Sequence, residues 1–170
     1  MDSHMMKMIR IEKVTVNIGV GKTGDELDRA SQILAKITQA KPVLTKAKVK
    51  IPTWGIREGL AIGTKVTLRG TNAERFLKDA FVAKDNKIGK KSFDKLGNFG
   101  FGVKEYIDLP KVKYEPQLGI RGFDVLVTLE RPGYRVKKRK LGKTKIRLRH
   151  LIKAEEAIEF VKQKFGVEVI

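Results

Sequence analysis

Three segments of the chain alternate apolar and polar residues, and this pattern constrains the fold more than any other feature of the sequence. The segments span about residues 9–18, 61–69 and 121–130. Side chains of a β-strand point alternately to opposite faces, so each segment predicts a strand with one buried face. Helical periodicity follows the first two segments and returns at about residues 152–164. The chain is therefore predicted to be an α+β protein, with helices packed on one face of a mainly antiparallel sheet and the other face open.

The open face of the first two predicted strands carries polar and cationic side chains. The alternation directs Thr15 and Asn17 of the first strand away from the core, together with Lys65, Thr67 and Arg69 of the second. An open basic sheet face is a common platform for single-stranded or irregular RNA. We therefore predict that this face binds RNA.

The charge of the chain also indicates a polyanionic partner. Lys and Arg total 37 against 19 Asp and Glu, a formal net charge of +18 over 170 residues. Such an excess repels itself unless a polyanion neutralises it. The length favours one domain over residues 6–170, preceded by residues 1–5, which are typical of an expression remnant. Within that domain we predict a long, exposed basic loop at residues 49–60 and a basic arm at residues 131–153.

The basic arm is predicted to be ordered and to bind phosphates, because apolar residues occur at intervals along it and a packed helix follows it. It holds eleven Lys or Arg and no acidic residue. His150 lies among these cations with no evident carboxylate to orient it. Since a general base needs a positioned partner, we expect a solvated or RNA-facing histidine and no catalytic residue.

Other classes of protein are disfavoured by what the sequence lacks. Without cysteine there is no disulfide, thiol catalysis or cysteine-ligated zinc. No apolar run is long enough to cross a membrane, so we expect a cytoplasmic protein with no membrane partner. Nothing in the spacing of the acidic residues demands a metal, and we expect no cofactor.

The turn after the first strand imitates two nucleotide-binding motifs. The residues Gly21-Lys22-Thr23 match the last three positions of a Walker loop, but Val16 stands where that motif needs glycine. Gly19-x-Gly21-x-x-Gly24 fits the dinucleotide fingerprint, although no acidic residue follows between Asp28 and Glu58 to bind a ribose. An NADP-binding oxidoreductase thus stays an alternative, as does a nonspecific nucleic-acid-binding protein. The plainer interpretation is a tight turn in which glycines supply positive φ.

Six stretches, in order along the chain, resemble one known family. They are residues 11–21, 41–48, 55–57, 62–70, 92–98 and 119–124. The chain resembles the large-ribosomal-subunit protein L-five family, whose members bind 5S rRNA, and residues 133–140 resemble its archaeal and eukaryotic branch. The resemblance implies a non-enzymatic structural constituent of the cytoplasmic large subunit that anchors 5S rRNA in the central protuberance. It also implies contacts with large-subunit rRNA, with a neighbouring 5S-associated ribosomal protein and with a small-subunit head protein.

The resemblance also assigns residues to these contacts. The RNA-contacting asparagine and threonine of the family fall on Asn17 and Thr67, while Ala40 stands where the family has glutamine and Gln39 lies one residue earlier. The loop at 49–60 resembles the one that approaches peptidyl-site tRNA, and Trp54 in it is either a core anchor or a base-stacking residue. The predicted RNA-binding residues are Thr15, Asn17, Gln39, Lys41, Thr45, Lys46, Lys48, Lys65, Thr67 and Arg69, and the predicted tRNA-facing residues are Lys50, Trp54 and Arg57.

Overall fold

The computed structural model describes residues 4–110 and 112–170, and a five-stranded antiparallel sheet dominates it. The strands are β1 (Arg10–Gly19), β2 (Val43–Lys46), β3 (Ala61–Leu68), β4 (Lys87–Ile88), β5 (Phe99–Val103), β6 (Phe123–Glu130) and β7 (Glu168–Val169). The helices are α1 (Asp25–Thr38), α2 (Gly70–Val82), α3 (Arg135–Lys138) and α4 (Ala154–Phe165). The sheet order is β2-β3-β1-β6-β5, and β4 pairs with β7 in a separate parallel pair. The predicted α+β class is confirmed.

The core lies on one face of this sheet, as the alternation predicted. Val14 and Val16 of β1 and Val125 of β6 have no exposed surface. Helix α1 covers them with Leu27, Ala30, Ile33 and Leu34, and α2 contributes Ala73, Phe76, Leu77, Ala80 and Phe81. These residues recur every three to four positions, which puts them along one side of each helix. Each strand therefore keeps its other face free of the core.

The edge strand β5 comes from a stretch rich in glycine and lysine between α2 and β6. Phe99 and Phe101 point into the core, where Phe101 stacks on Phe81 at 5.3 Å between ring centroids. Gly100 alternates with them on the open face, and a Cβ there would lie 2.8 Å from Leu126 Cδ2. The glycine therefore lets Leu126 lie flat across the edge of the sheet.

The chain termini and the basic segments lie around this frame. Residues 1–3 of the expected expression remnant lie outside the described residues, and Met5–Lys7 form a single 3-10 turn. The basic loop at 49–60 connects β2 with β3, and the basic arm at 131–153 connects β6 with α4. Within the described part of the chain, no helix has the length and apolar character needed to cross a membrane.

Candidate nucleic-acid interface

Four of the predicted RNA-binding side chains lie together on the open face of the sheet. Asn17 of β1 is in register with Lys65 of β3, and Thr15 is in register with Thr67. Directly opposed residues of an antiparallel pair point to the same face, and the inward neighbours of these four are buried. Lys65 and Thr67 are exposed and the other two half-buried. None of the four side chains has a hydrogen-bond or ion-pair partner among the described residues, so their donors and acceptors are available to a ligand.

The edge strand β2 extends this polar face. Thr45 is in register with Gly63 of β3, and a Cβ on that glycine would lie 2.8 Å from Thr45 Oγ1. The absence of a side chain at Gly63 thus makes room for the threonine hydroxyl over the sheet. After Thr45 the pairing shifts by one residue, and both Lys46 and Lys48 are exposed. We call Thr15, Asn17, Lys65 and Thr67 the Asn17 cluster; strand β2, next to β3, thus adds two exposed lysines at the edge of the same sheet.

Arg69 differs from the other predicted residues because it is already engaged within the protein. Its Nη1 lies 3.9 Å from Glu12 Oε1 and 3.4 Å from the Glu12 carbonyl oxygen. Lys138 of the arm contacts the same carboxylate at 2.5 Å and Glu130 at 3.1 Å, while Arg10 donates to Glu130 at 2.7 Å. Two carboxylates thus hold three cations at one end of the open face, and we name these five residues the carboxylate cluster.

Partial burial and ion pairing compete at the carboxylate cluster, and the ion pairs prevail. Burial alone would raise the pKa of Glu130, but hydrogen bonds from Lys138 and Arg10 lower it below its ordinary value. Burial alone would lower the pKa of Lys138, but its bonds to Glu12 and Glu130 raise it. These shifts stabilise the charged forms, so the cluster is a structural tie between the arm and the sheet.

Gln39 lies apart from the Asn17 cluster. It ends α1 in the left-handed conformation, with φ of 52°. Its surroundings are a groove of about 300 Å³ between α1 and α2, where Asn72 and Arg75 are among the neighbours. Both helices pack on the core face of the sheet, so the structure groups Gln39 with helical residues. Lys41 follows as an exposed residue just before β2.

The basic loop is closed at its base and exposed at its tip. Ile51 N–H donates to the Ile56 carbonyl at 2.9 Å, and Ile56 N–H donates back at 3.1 Å. Between them Pro52–Trp54 form a 3-10 turn, and Gly55 reverses the chain with φ of 66°. Trp54 is 72% exposed, whereas Ile56 is 5% exposed. The anchor of the loop is therefore Ile56, and the interpretation of Trp54 as a core anchor is wrong.

The charged neighbours of Trp54 in the loop are also open to solvent. Lys50 and Arg57 are exposed and have no ion-pair partner among the described residues. An exposed indole between unpaired cations suits stacking on a base together with contact to a phosphate.

The basic arm is tied down at both of its ends. Arg131 is 8% exposed, and its Nη2 donates to Glu156 of α4 at 2.9 Å. His150 is half-buried, with Nε2 at 3.0 Å from the Pro132 carbonyl oxygen, and Tyr134 donates its hydroxyl to the His150 carbonyl at 3.3 Å. The His150 ring is therefore partly shielded from solvent and helps to close the base of the arm, and its contact with RNA stays a prediction.

The middle of the arm presents free cations. Arg139 bonds only locally, to the Gly142 carbonyl at 2.7 Å. The exposed cations with no partner among the described residues are Arg135, Lys137, Lys140, Lys143, Lys145, Arg147 and Arg149. No acidic residue lies in the arm to neutralise them.

The glycine turn after β1 does not form a dinucleotide site. Strand β1 is antiparallel to both of its neighbours, whereas the fingerprint needs a parallel βαβ unit. Gly21 and Gly24 have φ of 75° and 97°, as expected for a tight turn. The first turn of α1 carries Asp25, Glu26 and Asp28, which would repel a pyrophosphate at that helix end. The oxidoreductase alternative therefore lacks its structural context.

Sequence analysis missed three open-face residues on β6. Asp124 is in register with Asn17, and Leu126 is in register with Thr15 and 51% exposed. Thr128 follows on the same face. The alternation of the third strand was the available signal, since it directs these residues outward by the rule that was applied to β1 and β3. The open face is thus cationic toward β3 and mixed toward β6.

Comparison with known proteins identifies the family of the chain. The family described as "Ribosomal protein L5" matches residues 4–57, and the C-terminus of the same ribosomal family matches residues 61–162. The "Large ribosomal subunit protein uL5" of Methanococcus vannielii is 54% identical over 168 residues, which cover 97% of this chain and 93% of the relative. The protein of the same name from Nanoarchaeum equitans is 51% identical over 168 residues, with 98% and 99% covered. The resemblance predicted from sequence is confirmed, and the chain belongs to the ribosomal protein L5 family.

Proposed function

We propose that this protein is a structural, non-enzymatic constituent of the large ribosomal subunit that binds 5S rRNA and anchors it in the central protuberance. The archaeal relatives are named as large-subunit proteins, which supports the assignment to that particle. The residues that match the family motifs carry the finer part of the proposal. Its localisation is that of the cytoplasmic large subunit.

The observation that carries the proposal is the unpartnered polar group of Thr15, Asn17 and Thr67 on an open sheet face. An asparagine side chain offers both donors and acceptors, and each threonine hydroxyl can both donate and accept. Such groups distinguish base edges and ribose 2′-hydroxyls, which a charged side chain alone does not. Their fixed spacing on neighbouring strands provides a rigid template for one RNA shape.

The cations around this template supply affinity. Lys46, Lys48 and Lys65 are exposed at its border and have no ion-pair partner among the described residues. Each lysine that neutralises a phosphate releases a counterion, so binding weakens as salt rises. Specificity from the uncharged residues and affinity from the lysines are therefore separable in experiment.

The other contacts follow from the two basic segments. The loop at 49–60 faces peptidyl-site tRNA through Lys50, Trp54 and Arg57, and its exposed indole is the stacking residue. The arm at 131–153 lies against large-subunit rRNA through its unpaired cations. The proposal also includes contacts with a neighbouring 5S-associated ribosomal protein and with a small-subunit head protein.

The test compares the full-length chain with Asn17→Ala in binding to a 5S rRNA transcript and to bulk RNA at moderate salt. Loss of a hydrogen bond to RNA costs about 1 kcal/mol, so we expect 5S affinity to fall roughly fivefold and bulk affinity to stay constant. Asn72→Ala, an exposed asparagine on α2, is the matched control. An equal loss on both RNAs would contradict the role of Asn17. A wild-type protein without preference for 5S rRNA would favour a nonspecific nucleic-acid-binding protein instead.

A further inference from the structure

A groove of about 410 Å³ lies where the basic arm passes the end of the open sheet face. Asn98 and Thr128 line it from the sheet side, and Tyr134, Lys137 and Lys143 line it from the arm. Its volume is in the range of about 300–1,000 Å³ that is typical of pockets for small ligands. The groove is separate from the Asn17 cluster, and sequence analysis did not reveal it because its walls come from segments far apart in the chain.

The sheet side of the groove offers unused hydrogen-bonding groups. Asn98 Oδ1 accepts from the Leu129 N–H at 3.3 Å, which orients the amide and leaves its Nδ2 amino group without a partner among the described residues. The Thr128 hydroxyl likewise has no partner in the described part of the chain. The backbone beside Asn98 packs closely on the core, since a Cβ on Gly97 would lie 2.6 Å from Ile152 Cγ2. The polar groups are therefore free to bind a ligand but fixed in position.

An aromatic ring and an aliphatic side chain form the apolar walls. The hydroxyl of Tyr134 is tied to the His150 carbonyl at 3.3 Å, and its ring packs against the His150 ring at 5.9 Å between centroids. Leu96, which also lines the groove, is 45% exposed. A flat apolar group between these walls would bury surface that is now in contact with solvent.

The charge of the groove selects an anion. Glu12 is among the lining residues, but its carboxylate is paired with Lys138 at 2.5 Å. Lys137 and Lys143 are exposed and have no such partner among the described residues. With two unpaired cations at the mouth, the groove favours a ligand that joins a flat ring to a phosphate.

We propose that this groove receives a single unstacked nucleotide of the bound rRNA. The base lies between Tyr134 and Leu96, and Asn98 Nδ2 donates to an acceptor on its edge. Lys137 and Lys143 contact the flanking phosphates. The proposal rests on the proposed function, since it adds a second RNA subsite to the one around Asn17. Unpaired RNA bases are commonly recognised in this way, with a ring surface and hydrogen bonds to the base edge.

The test fills the groove and removes its cations in separate full-length variants. Thr128→Phe occupies the space with a bulky ring on the open face of β6. Lys137→Ala/Lys143→Ala removes the two lining cations, and Lys140→Ala/Lys145→Ala removes two arm cations that do not line the groove. Each variant is bound to transcripts of 5S rRNA and of the large-subunit rRNA, with affinity and nucleotide-resolution chemical probing as readouts.

We expect Thr128→Phe to weaken binding to one of the transcripts about tenfold, as is typical for loss of a stacked base. One nucleotide protected by the wild type should become reactive in Thr128→Phe and in Lys137→Ala/Lys143→Ala. Lys140→Ala/Lys145→Ala should flatten the salt dependence and keep that nucleotide protected. An unchanged probing pattern for the groove variants, with wild-type binding intact, would overturn the subsite but not the proposed function. Exposure of the same nucleotide by Lys140→Ala/Lys145→Ala would also overturn it, because the effect would then be one of charge alone.

Discussion

The basic loop and the basic arm both carry exposed cations with no ion-pair partner among the described residues, but they are built in different ways. The loop is closed by backbone hydrogen bonds and one buried isoleucine, and its cations Lys50 and Arg57 have no carboxylate partner among the described residues. The arm uses Arg131 and Lys138 to fasten itself to Glu156 and to the carboxylate cluster. The arm therefore contains two kinds of cation, structural and free, whereas Lys50 and Arg57 of the loop are free among the described residues. Only the free cations can release counterions on RNA.

The difference arises from where the carboxylates lie. Glu12 is on β1, Glu130 ends β6 and Glu156 lies in the first turn of α4, so the arm meets acids from three elements. None of them is within the arm itself, and charge patterning along the sequence does not reveal the pairs. The cations of the loop, between β2 and β3, meet no such acid among the described residues.

The largest expected effect is on stability, and it should occur in the arm alone. Arg131→Ala removes a buried guanidinium and leaves Glu156 without its ion-pair partner, which we expect to cost about 2–3 kcal/mol in the free energy of unfolding. Arg57→Ala in the loop should stay within about 0.5 kcal/mol of wild type, as is usual for an exposed side chain. Urea unfolding of both variants measures the difference. Similar losses in the two variants would remove the distinction between structural and free cations.

The next effect is on binding, and it should occur in the loop. Trp54→Ala is expected to weaken binding to tRNA by about 1–2 kcal/mol through loss of stacking, without a change in the urea midpoint. Trp54→Phe keeps an aromatic surface and should retain most of the affinity. Binding is measured by filter retention of labelled tRNA. Tryptophan fluorescence cannot be used, because Trp54 is the only tryptophan and both variants lack it. Full affinity in Trp54→Ala would exclude the stacking role.

The smallest effect is the pH dependence of the arm. Burial would raise the pKa values of Glu130 and Glu156, but hydrogen bonds to these carboxylates lower both in the folded protein. Their contribution to stability is therefore present above the unfolded pKa, about 4.3, and is lost as the pH falls through the lower folded values. The raised pKa of Lys138 affects stability at alkaline pH. Its contribution to stability is present below the unfolded pKa, about 10.4, and is lost as the pH rises through the higher folded value.

The measurement is the free energy of unfolding as a function of pH for Glu130→Gln and, in the loop, for Lys50→Ala. We expect the acid-side slope to become shallower in Glu130→Gln, because one carboxyl no longer titrates between the two states. Lys50→Ala should keep the wild-type slope, since Lys50 has no carboxylate partner among the described residues. A wild-type slope in Glu130→Gln would argue against the carboxylate cluster as a tie for the arm.

The alternation of apolar and polar residues predicted those strands in which every second side chain is buried. Val14, Val16 and Val125 were assigned correctly because alternation fixes the face of a strand once one face is buried. The same rule holds for Phe99-Gly-Phe-Gly-Val103, but glycine carries no side chain to mark the open face, so alternation alone did not identify this strand. The contacts of His150 could not be predicted for another reason, since its partners Pro132 and Tyr134 are 18 and 16 residues away.

For the candidate site as well, the sequence pattern predicted some residues, and only contacts in the folded protein located the others. Asn17 and Thr67 came from alternation and from the family resemblance, and they share one face with Thr15 and Lys65. The roles predicted for Gln39 and Arg69 stay predictions, since Gln39 lies at the end of α1 and Arg69 contacts Glu12 at one end of the open face. Whether Trp54 was buried or exposed depended on Ile56 two residues later, which packs inward in its place.

The sequence by itself determined the α+β class, the faces of three strands, the excess of positive charge and the family. These properties depend on the identity and spacing of neighbouring residues, which periodicity and composition record directly. Only the tertiary structure decided which cations are paired, which polar groups are free, and that a groove forms between Asn98, Thr128 and the arm. The physical reason is that ion pairing and cavity shape act across space, between elements that the chain brings together only when it folds.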